Sequence, residues 1–144
     1  MRILAKVKLP EVIDLFSGCG GLALGIQQAG FSITHGIEIM ESAVKTANMN
    51  LSIKKGLPPL HICGDITQMD EHIFNDKIGK NGCVIIGGPP CQAYSLIGRG
   101  KLNSLVKNEY SYLDDTRGYL FEDYLRFVIG TGARAAVMEN VRQC

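Results

Sequence analysis

The sequence lacks most of the features that mark specialised protein classes. Its 144 residues include no Trp and only 7% aromatic residues, and the formal net charge is +1. No stretch approaches the ~18 to 20 consecutive apolar residues of a membrane span, and the N-terminus has no apolar signal-peptide core. The near-neutral charge gives neither a basic footprint for nucleic acid nor an acidic tail. We therefore expect a cytoplasmic protein without membrane contact, whose partner is not revealed by bulk charge.

The cysteines are too few and too scattered for a structural framework. There are five, an odd number, and no two form a C-x-x-C pair. This pattern predicts neither a disulfide scaffold nor a zinc site, and we expect no metal. A lone thiol in such a protein is either a small buried hydrophobe or a nucleophile.

What the chain does have is an alternation of short apolar runs and amphipathic stretches. With 46% hydrophobic residues, it can bury the core of one domain and hardly of two. The patterns predict strands at 12–16, 32–37, 61–63, 83–86 and 135–138, and helices at 20–29, 41–50, 67–74 and 119–129. Repeated strand-helix units predict an α/β fold with a parallel sheet and flanking helices. Ligands of such a sheet bind outside the carboxyl ends of its strands.

A glycine-rich turn follows the first predicted strand, in the segment DLFSGCGGLALG from Asp14 to Gly25. Gly18 and Gly20 let the backbone pass close to a ligand, beside the outward-facing amides of a helix start. Read with Ala23, they also satisfy a relaxed dinucleotide fingerprint. That signal is weak alone, because a tight turn can need glycine for steric reasons only.

Two acidic residues follow the next two predicted strands. Glu38 lies 20 residues beyond Gly18, where a carboxylate can accept hydrogen bonds from both ribose hydroxyls. Together with the glycine turn, it favours a nucleoside cofactor, either a nicotinamide dinucleotide or S-adenosylmethionine. Asp65, in GDIT, could accept a hydrogen bond from an adenine amino group or, equally, cap a helix N-terminus.

A cysteine and a glutamate follow the last two predicted strands. Pro89 and Pro90, in GGPPCQAYS, fix the backbone before Cys91 and so direct its thiol. Glu139, in MENV, would end a neighbouring strand and could donate a proton or hydrogen bond from a partly desolvated pocket. No adjacent His or Lys is available to form the thiolate, so Cys91 needs activation from elsewhere in the fold or from substrate.

In this combination the sequence resembles the cytosine carbon-5 DNA methyltransferase family. The matching segments run in family order, from DLFSGCGG through Glu38, GDIT, GGPPCQAYS and DDTRGYLF to MENV. They extend over nearly the whole chain, so residues 1–144 would be the amino-terminal part of an S-adenosylmethionine-dependent catalytic domain with a Rossmann-like sheet. A nicotinamide enzyme would have no use for Cys91 or Glu139 at these positions.

The resemblance implies a covalent mechanism on a cytosine flipped out of double-stranded DNA. Cys91 would add to cytosine carbon 6, and Glu139 would hold the ring nitrogen and amino group. The implied cofactor site comprises Phe16, Ser17, Gly18, Cys19, Gly20, Gly21, Leu22, Glu38, Ile39, Asp65, Ile66, Pro90 and Leu120. The implied DNA contacts are Gln92, Ser95 and Arg99, whereas Arg117 would have a structural role.

The sequence departs from the family in two ways. Ile39 stands where many members have an aromatic residue, which would weaken stacking on the cofactor. After ENV the family continues with two more strands, a target-recognition region and a final helix, so we expect a complementary carboxyl-terminal partner. The alternatives are an RNA cytosine methyltransferase and a non-catalytic S-adenosylmethionine-binding or assembly module. A bacterial or phage origin is expected.

Overall fold

The computed structural model describes residues 9–90 and 120–140. They form five strands and three α-helices, and the order of elements agrees with the predicted alternation. The elements are β1 (Glu11–Leu15), α1 (Gly21–Gln28), β2 (Ser32–Glu38), α2 (Glu41–Leu51), β3 (His61–Cys63), β4 (Cys83–Gly87), α3 (Leu120–Gly130) and β5 (Ala135–Met138). Three-residue 3-10 turns lie at Ile53–Lys55, Ile66–Gln68 and Asn75–Lys77.

The strands form one sheet in the order β3-β2-β1-β4-β5, and every neighbouring pair is parallel. The predicted parallel α/β fold is therefore confirmed. Because the chain moves outward in both directions from β1 and β4, the topological switch point lies between these two strands. Their carboxyl ends, at Leu15 and Gly87, are aligned in register. A ligand cleft is expected at this edge.

Both faces of the sheet are buried, as the apolar strand sequences require. On one face Ile13, Leu15 and Ile85 pack with Phe74, Tyr124 and Phe127. On the other face the α1 and α2 helices pack against β1 and β4, where Val12, Ile86, Ala23, Ala47 and Leu51 form a second cluster. Side chains alternate between these clusters along β1, so this central strand is almost completely enclosed.

The predicted helix at 67–74 is wrong. Instead of a helix, this segment contains turns whose backbone bonds join residues three apart, such as Gln68 N–H to the Asp65 carbonyl. The carboxylates of Asp65 and Asp70 accept hydrogen bonds from the amides of Thr67 and His72, at 3.0 and 2.9 Å. Short acidic side chains that bind nearby amides compete with helix formation, which explains the difference.

Strand β5 is the exception to the burial of the sheet. All four of its residues are exposed, including Val137 and Met138 at 49% and 40%. On the neighbouring α3 helix, Phe121, Leu125 and Ile129 are spaced four residues apart and are exposed as well. This spacing places them on one helical face. Strand β5 and this stripe of α3 therefore each expose apolar side chains.

Candidate cofactor cleft and catalytic edge

The turn between β1 and α1 is tight and depends on left-handed backbone conformations. Phe16, Gly18 and Gly20 have φ values of 56°, 53° and 85°. A Cβ atom on Gly20 would lie 2.6 Å from the Leu51 side chain of α2. Glycine is therefore required at position 20 both for its conformation and for the close approach of α2. The turn brings the start of α1 to the carboxyl edge of the sheet.

Glu38 links this turn to the neighbouring strand. Its Oε2 atom accepts a hydrogen bond from the Gly18 amide, and its Oε1 atom accepts one from the Met40 amide, both at 2.9 Å. One carboxylate thus holds the glycine turn against the turn that leads into α2. Each of its oxygens retains a lone pair. The predicted ribose contact is compatible with this geometry and stays a prediction.

Asp65 has the capping role that the sequence left open. Its Oδ1 atom accepts hydrogen bonds from the amide and hydroxyl of Thr67, at 3.0 and 2.8 Å, and caps the turn Ile66–Gln68. The adenine contact remains a prediction for the exposed carboxylate. A side chain that is already ordered by its cap loses little conformational entropy when it binds a ligand.

A cleft of about 380 Å³ opens at the carboxyl edge. It is lined by Phe16, Ile37, Glu38, Ile39, Met40, Gly64, Asp65, Ile66, Gly88, Pro90 and Leu120. Seven of the thirteen predicted cofactor residues are in this set. Its walls are mainly apolar with two carboxylates, a character that suits a planar base attached to a sugar.

The other six predicted cofactor residues do not line the cleft. They form the adjoining glycine turn and the first turn of α1, namely Ser17, Gly18, Cys19, Gly20, Gly21 and Leu22. The Gly18–Glu38 hydrogen bond connects this turn to the cleft wall. Ile37, Met40, Gly64 and Gly88 were missed by the sequence reasoning, although the first three adjoin a predicted residue and Gly88 lies two residues before Pro90.

The predicted juxtaposition of the last two strand ends is confirmed. Strand β5 pairs with β4, and the Glu139 amide donates to the Gly87 carbonyl at 2.9 Å. The Glu139 side chain is exposed and lies against Gly88, where a Cβ atom would be 3.0 Å from its Oε2. A side chain at position 88 would therefore crowd the carboxylate to which the family resemblance gives the predicted contact with cytosine.

The predicted nucleophile, Cys91, follows a cleft residue in the sequence. Pro90 is a cleft residue, and the next residue, Cys91, lies outside the described ranges. Gln92, Ser95, Arg99 and Arg117 also lie outside them. The roles assigned to these residues stay predictions.

One polar pair below the cleft was missed by the sequence reasoning. Asp14 and His61 are 0% and 2% exposed, and their side-chain oxygen and nitrogen atoms have no hydrogen-bond partner in the described part of the chain. Burial raises the pKa of Asp14, partly offset by the nearby His61 imidazole, while the Glu38 carboxylate raises it further. The available signal was an acidic residue inside the otherwise apolar strand VIDLF.

Within residues 9–90 and 120–140, no group of three His, Cys, Asp or Glu side chains could hold a metal ion. No helix in these ranges is long and apolar enough to span a bilayer.

Cys19 and Cys63 are exposed free thiols, and Cys83 is buried. Burial raises the pKa of the Cys83 thiol, so this residue behaves as a small hydrophobe.

The sheet order, the glycine turn and the strand-end acids define a doubly wound parallel α/β fold with a ligand cleft at its switch point. Residues 11–144 match the C-5 cytosine-specific DNA methylase family. The chain therefore belongs to this family.

Curated relatives cover most of this chain. It is 51% identical over 135 residues to M.OihORF3336P of Oceanobacillus iheyensis, a provisionally named type II methyltransferase; the match covers 93% of this chain and 29% of the relative. It is 37% identical over 134 residues to the type II methyltransferase M.NgoPII of Neisseria gonorrhoeae, covering 91% and 33%. The chain thus spans about a third of the length of these relatives.

A solved structure agrees with this assignment. The crystal structure of a provisionally assigned DNA modification methyltransferase from an Escherichia coli prophage has a TM-score of 0.66 and 32% identity. The match covers 91% of this chain and 32% of the other.

Proposed function

We propose that the chain carries the cofactor cleft and the nucleophile of a DNA cytosine-5 methyltransferase that uses S-adenosylmethionine. The observation that carries the proposal is the cleft at the carboxyl ends of β1, β2, β3 and β4, with Glu139 beside Gly88 at its catalytic end. Membership of the C-5 cytosine-specific DNA methylase family supports methyl transfer to cytosine carbon 5 as the reaction of this site.

The residues of the cleft fit the cofactor. Phe16, Ile66 and Leu120 offer apolar contact to the adenine ring, while the Glu38 carboxylate can accept from ribose hydroxyls. The glycine turn leaves backbone amides at the start of α1 for the methionine carboxylate. When bound, S-adenosylmethionine supplies an electrophilic methyl group.

Cys91 and Glu139 would prepare cytosine to receive the methyl group. The Cys91 thiolate would add to carbon 6, and the electron pair of the carbon 5–carbon 6 double bond would make carbon 5 nucleophilic toward the methyl group, with S-adenosylhomocysteine as the leaving group. A Glu139 carboxyl hydrogen-bonded to the ring nitrogen stabilises the charge that develops in this addition. After methyl transfer, a base removes the carbon 5 proton, the double bond re-forms and Cys91 leaves as thiolate.

Trapping on DNA that contains 5-fluorocytosine tests the covalent step, because fluorine at carbon 5 cannot leave as a proton. With S-adenosylmethionine and any required further segment supplied, the wild-type chain is expected to form a stable adduct and Cys91→Ser none. Cys63→Ser is the matched control, since Cys63 is exposed and outside the cleft. Adduct formation by Cys91→Ser would refute the role of Cys91.

The same assay distinguishes the alternative substrates and functions. Methyl transfer to duplex DNA but not to tRNA is expected, and the reverse preference would favour an RNA cytosine methyltransferase. Cofactor binding without methyl transfer to either nucleic acid would favour a binding or assembly module.

We propose further that activity requires a further segment, continuous with this chain or supplied as a separate subunit. The support is twofold: the chain spans about a third of M.OihORF3336P and M.NgoPII, and both β5 and one stripe of α3 expose apolar side chains. A parallel sheet normally has both faces covered. The exposed side chains therefore suit contact with additional strands and a helix of the same catalytic domain.

Complementation in trans tests the proposed segment. The 144-residue chain is mixed with the part of M.OihORF3336P that follows its matched region, and methyl transfer to DNA is measured. Activity is expected from the mixture and not from either part. Ile129→Lys should weaken complementation, because it places a charge in the apolar stripe, where Ile129 is 79% exposed. Full activity of the chain alone would refute the requirement.

A further inference from the structure

Arg126 joins helix α3 to the turn after β3. Its guanidinium donates to the Ile66 carbonyl at 2.7 Å, to the Met69 carbonyl at 2.8 Å and to the Glu71 carboxylate at 2.5 Å. It also donates to Asp123, one turn earlier on its own helix, at 3.1 and 3.3 Å. The Arg126 side chain is 30% exposed, so most of this network is shielded from water.

The turn that receives these bonds is also one wall of the cleft. Ile66 lines the cleft and is 4% exposed, and the preceding Asp65 contributes its carboxylate. The turn Ile66–Gln68 is closed by two backbone bonds, from the Gln68 amide to the Asp65 carbonyl at 3.0 Å and from the Met69 amide to the Ile66 carbonyl at 3.3 Å. These bonds are local to the turn, whereas the bonds of Arg126 fix the position of the turn relative to α3.

Helix α3 also reaches the cleft at another point. Leu120, at the start of the described helix, lines the cleft, and Arg126 lies six residues later on the same rigid element. At 1.5 Å per residue the two Cα atoms are about 9 Å apart along the helix axis. Leu120 of this helix thus forms part of one cleft wall, and Arg126 of the same helix holds the wall that contains Ile66.

We propose that Arg126 is a positioning residue that sets the spacing between the Leu120 wall and the Asp65–Ile66 wall, and thereby the affinity for the adenine part of the cofactor. The inference rests on the proposed function, because it takes the cleft to bind an adenine nucleoside. Arg126 does not line the cleft. It acts through the Ile66 carbonyl.

Arginine is required for this geometry. The planar guanidinium presents separate donors to two backbone carbonyls and two carboxylates at once. A lysine ammonium has three donors at a single point and a shorter reach. Arg126→Lys should therefore keep the charge near Glu71 and Asp123 but lose one or both carbonyl contacts.

The affinity for S-adenosylhomocysteine tests the proposal, measured by calorimetry under conditions in which urea titration shows each variant fully folded. Arg126→Lys and Arg126→Met are expected to bind about tenfold more weakly than the wild type. Glu71→Gln, which leaves both carbonyl contacts, should bind like the wild type. Arg134→Lys is the surface control, because the Arg134 guanidinium donates to the Asn81 carbonyl and lies outside the cleft.

Amide hydrogen exchange provides a readout that general destabilisation would not reproduce. In Arg126→Lys the amides of Thr67, Gln68 and Met69 should exchange faster, while those of β1 keep their protection. Unchanged affinity in folded Arg126 variants would overturn the inference and leave the proposed function intact. Failure of the wild type to bind S-adenosylhomocysteine would refute the proposed cofactor. Independently of binding, unchanged amide exchange at residues 67–69 in Arg126→Lys would overturn the proposal that Arg126 positions this turn.

Discussion

The Nε2 atom of His61 lies 4.0 Å from the Oδ2 atom of Asp14, although the two residues belong to strands separated by β2. Gly36, the β2 residue that pairs with both, makes this approach possible. A Cβ atom at position 36 would lie 2.1 Å from Cδ2 of the His61 ring. The imidazole thus occupies the place of a missing side chain and faces the buried carboxylate below the cofactor cleft.

Gly36→Ala should strongly destabilise the protein. The new methyl group would collide with His61, and this ring cannot move easily because it is 2% exposed. Overpacking of this kind costs about 1–3 kcal/mol in free energy of unfolding. Urea denaturation measures the loss.

Gly25→Ala is the matched control for that substitution. Gly25 lies within α1, and no neighbouring atom is within 4 Å of the place that a Cβ atom would take. Alanine should therefore stabilise the helix by about 0.5–1 kcal/mol. Equal effects of the two substitutions would contradict the proposed contact between position 36 and His61.

Asp14→Asn should change how stability depends on pH. Burial raises the pKa of Asp14 above its ordinary 3.8, so the folded state holds this proton more tightly than the unfolded chain does. Ionisation of Asp14 therefore costs stability progressively as pH rises from the unfolded pKa to the raised folded pKa. Asparagine does not ionise. The free energy of unfolding of the variant, relative to that of the wild type, should therefore increase as pH rises through this interval.

Urea titrations of both proteins from pH 4 to pH 8, as approximate limits, would give the difference at each pH. A difference that stays constant throughout would show that Asp14 has the same pKa in the folded and unfolded states.

Glu38→Gln should weaken cofactor binding as well as the glycine turn. Glutamine keeps one acceptor oxygen and has no charge, so one of the hydrogen bonds to the Gly18 and Met40 amides is lost, and a ribose hydroxyl would lose its charged acceptor. A hydrogen bond to a charged group contributes about 1.5–3 kcal/mol, which for the ribose contact corresponds to roughly a 10- to 150-fold loss of affinity.

Calorimetric titration with S-adenosylhomocysteine measures the effect of Glu38→Gln. Glu41→Gln serves as the control, because the Glu41 side chain is 70% exposed, pairs with Lys45 and does not line the cleft. If both variants bound equally well, the Glu38 carboxylate would have no part in cofactor binding.

The sequence was sufficient for the fold because local patterns and sheet topology are physically linked. The strand VIDLF and the run at Cys83–Ile86 are too short and too apolar to be anything but buried strands, and the helices between strands impose parallel pairing. The same logic placed Glu38, Asp65 and Glu139 at one edge of the sheet. In the structure, Glu38 ends β2, Asp65 follows the neighbouring strand β3, and Glu139 follows β5 at the far end of the same edge.

What the sequence did not predict depends on contacts between distant segments. The network of Arg126 joins residues 55 to 60 positions apart, and no local pattern encodes it. The contact between Asp14 and His61 required the pairing register of three strands around Gly36. The segment 67–74 has apolar residues at helical spacing, but its acidic side chains form turns that outweigh this pattern.

Tyr124→Phe should cost a nearly constant amount of stability from about pH 5 to pH 9. The buried Tyr124 hydroxyl donates to the Ile85 carbonyl of β4 at 3.2 Å, and phenylalanine leaves this carbonyl without that donor. The loss is about 1 kcal/mol in free energy of unfolding. Burial raises the pKa of Tyr124 to about 12, so the hydroxyl keeps its proton throughout this range. Urea denaturation across the range measures the difference between the two proteins; a difference that shrank toward pH 9 would mean that the hydroxyl ionises far below that value.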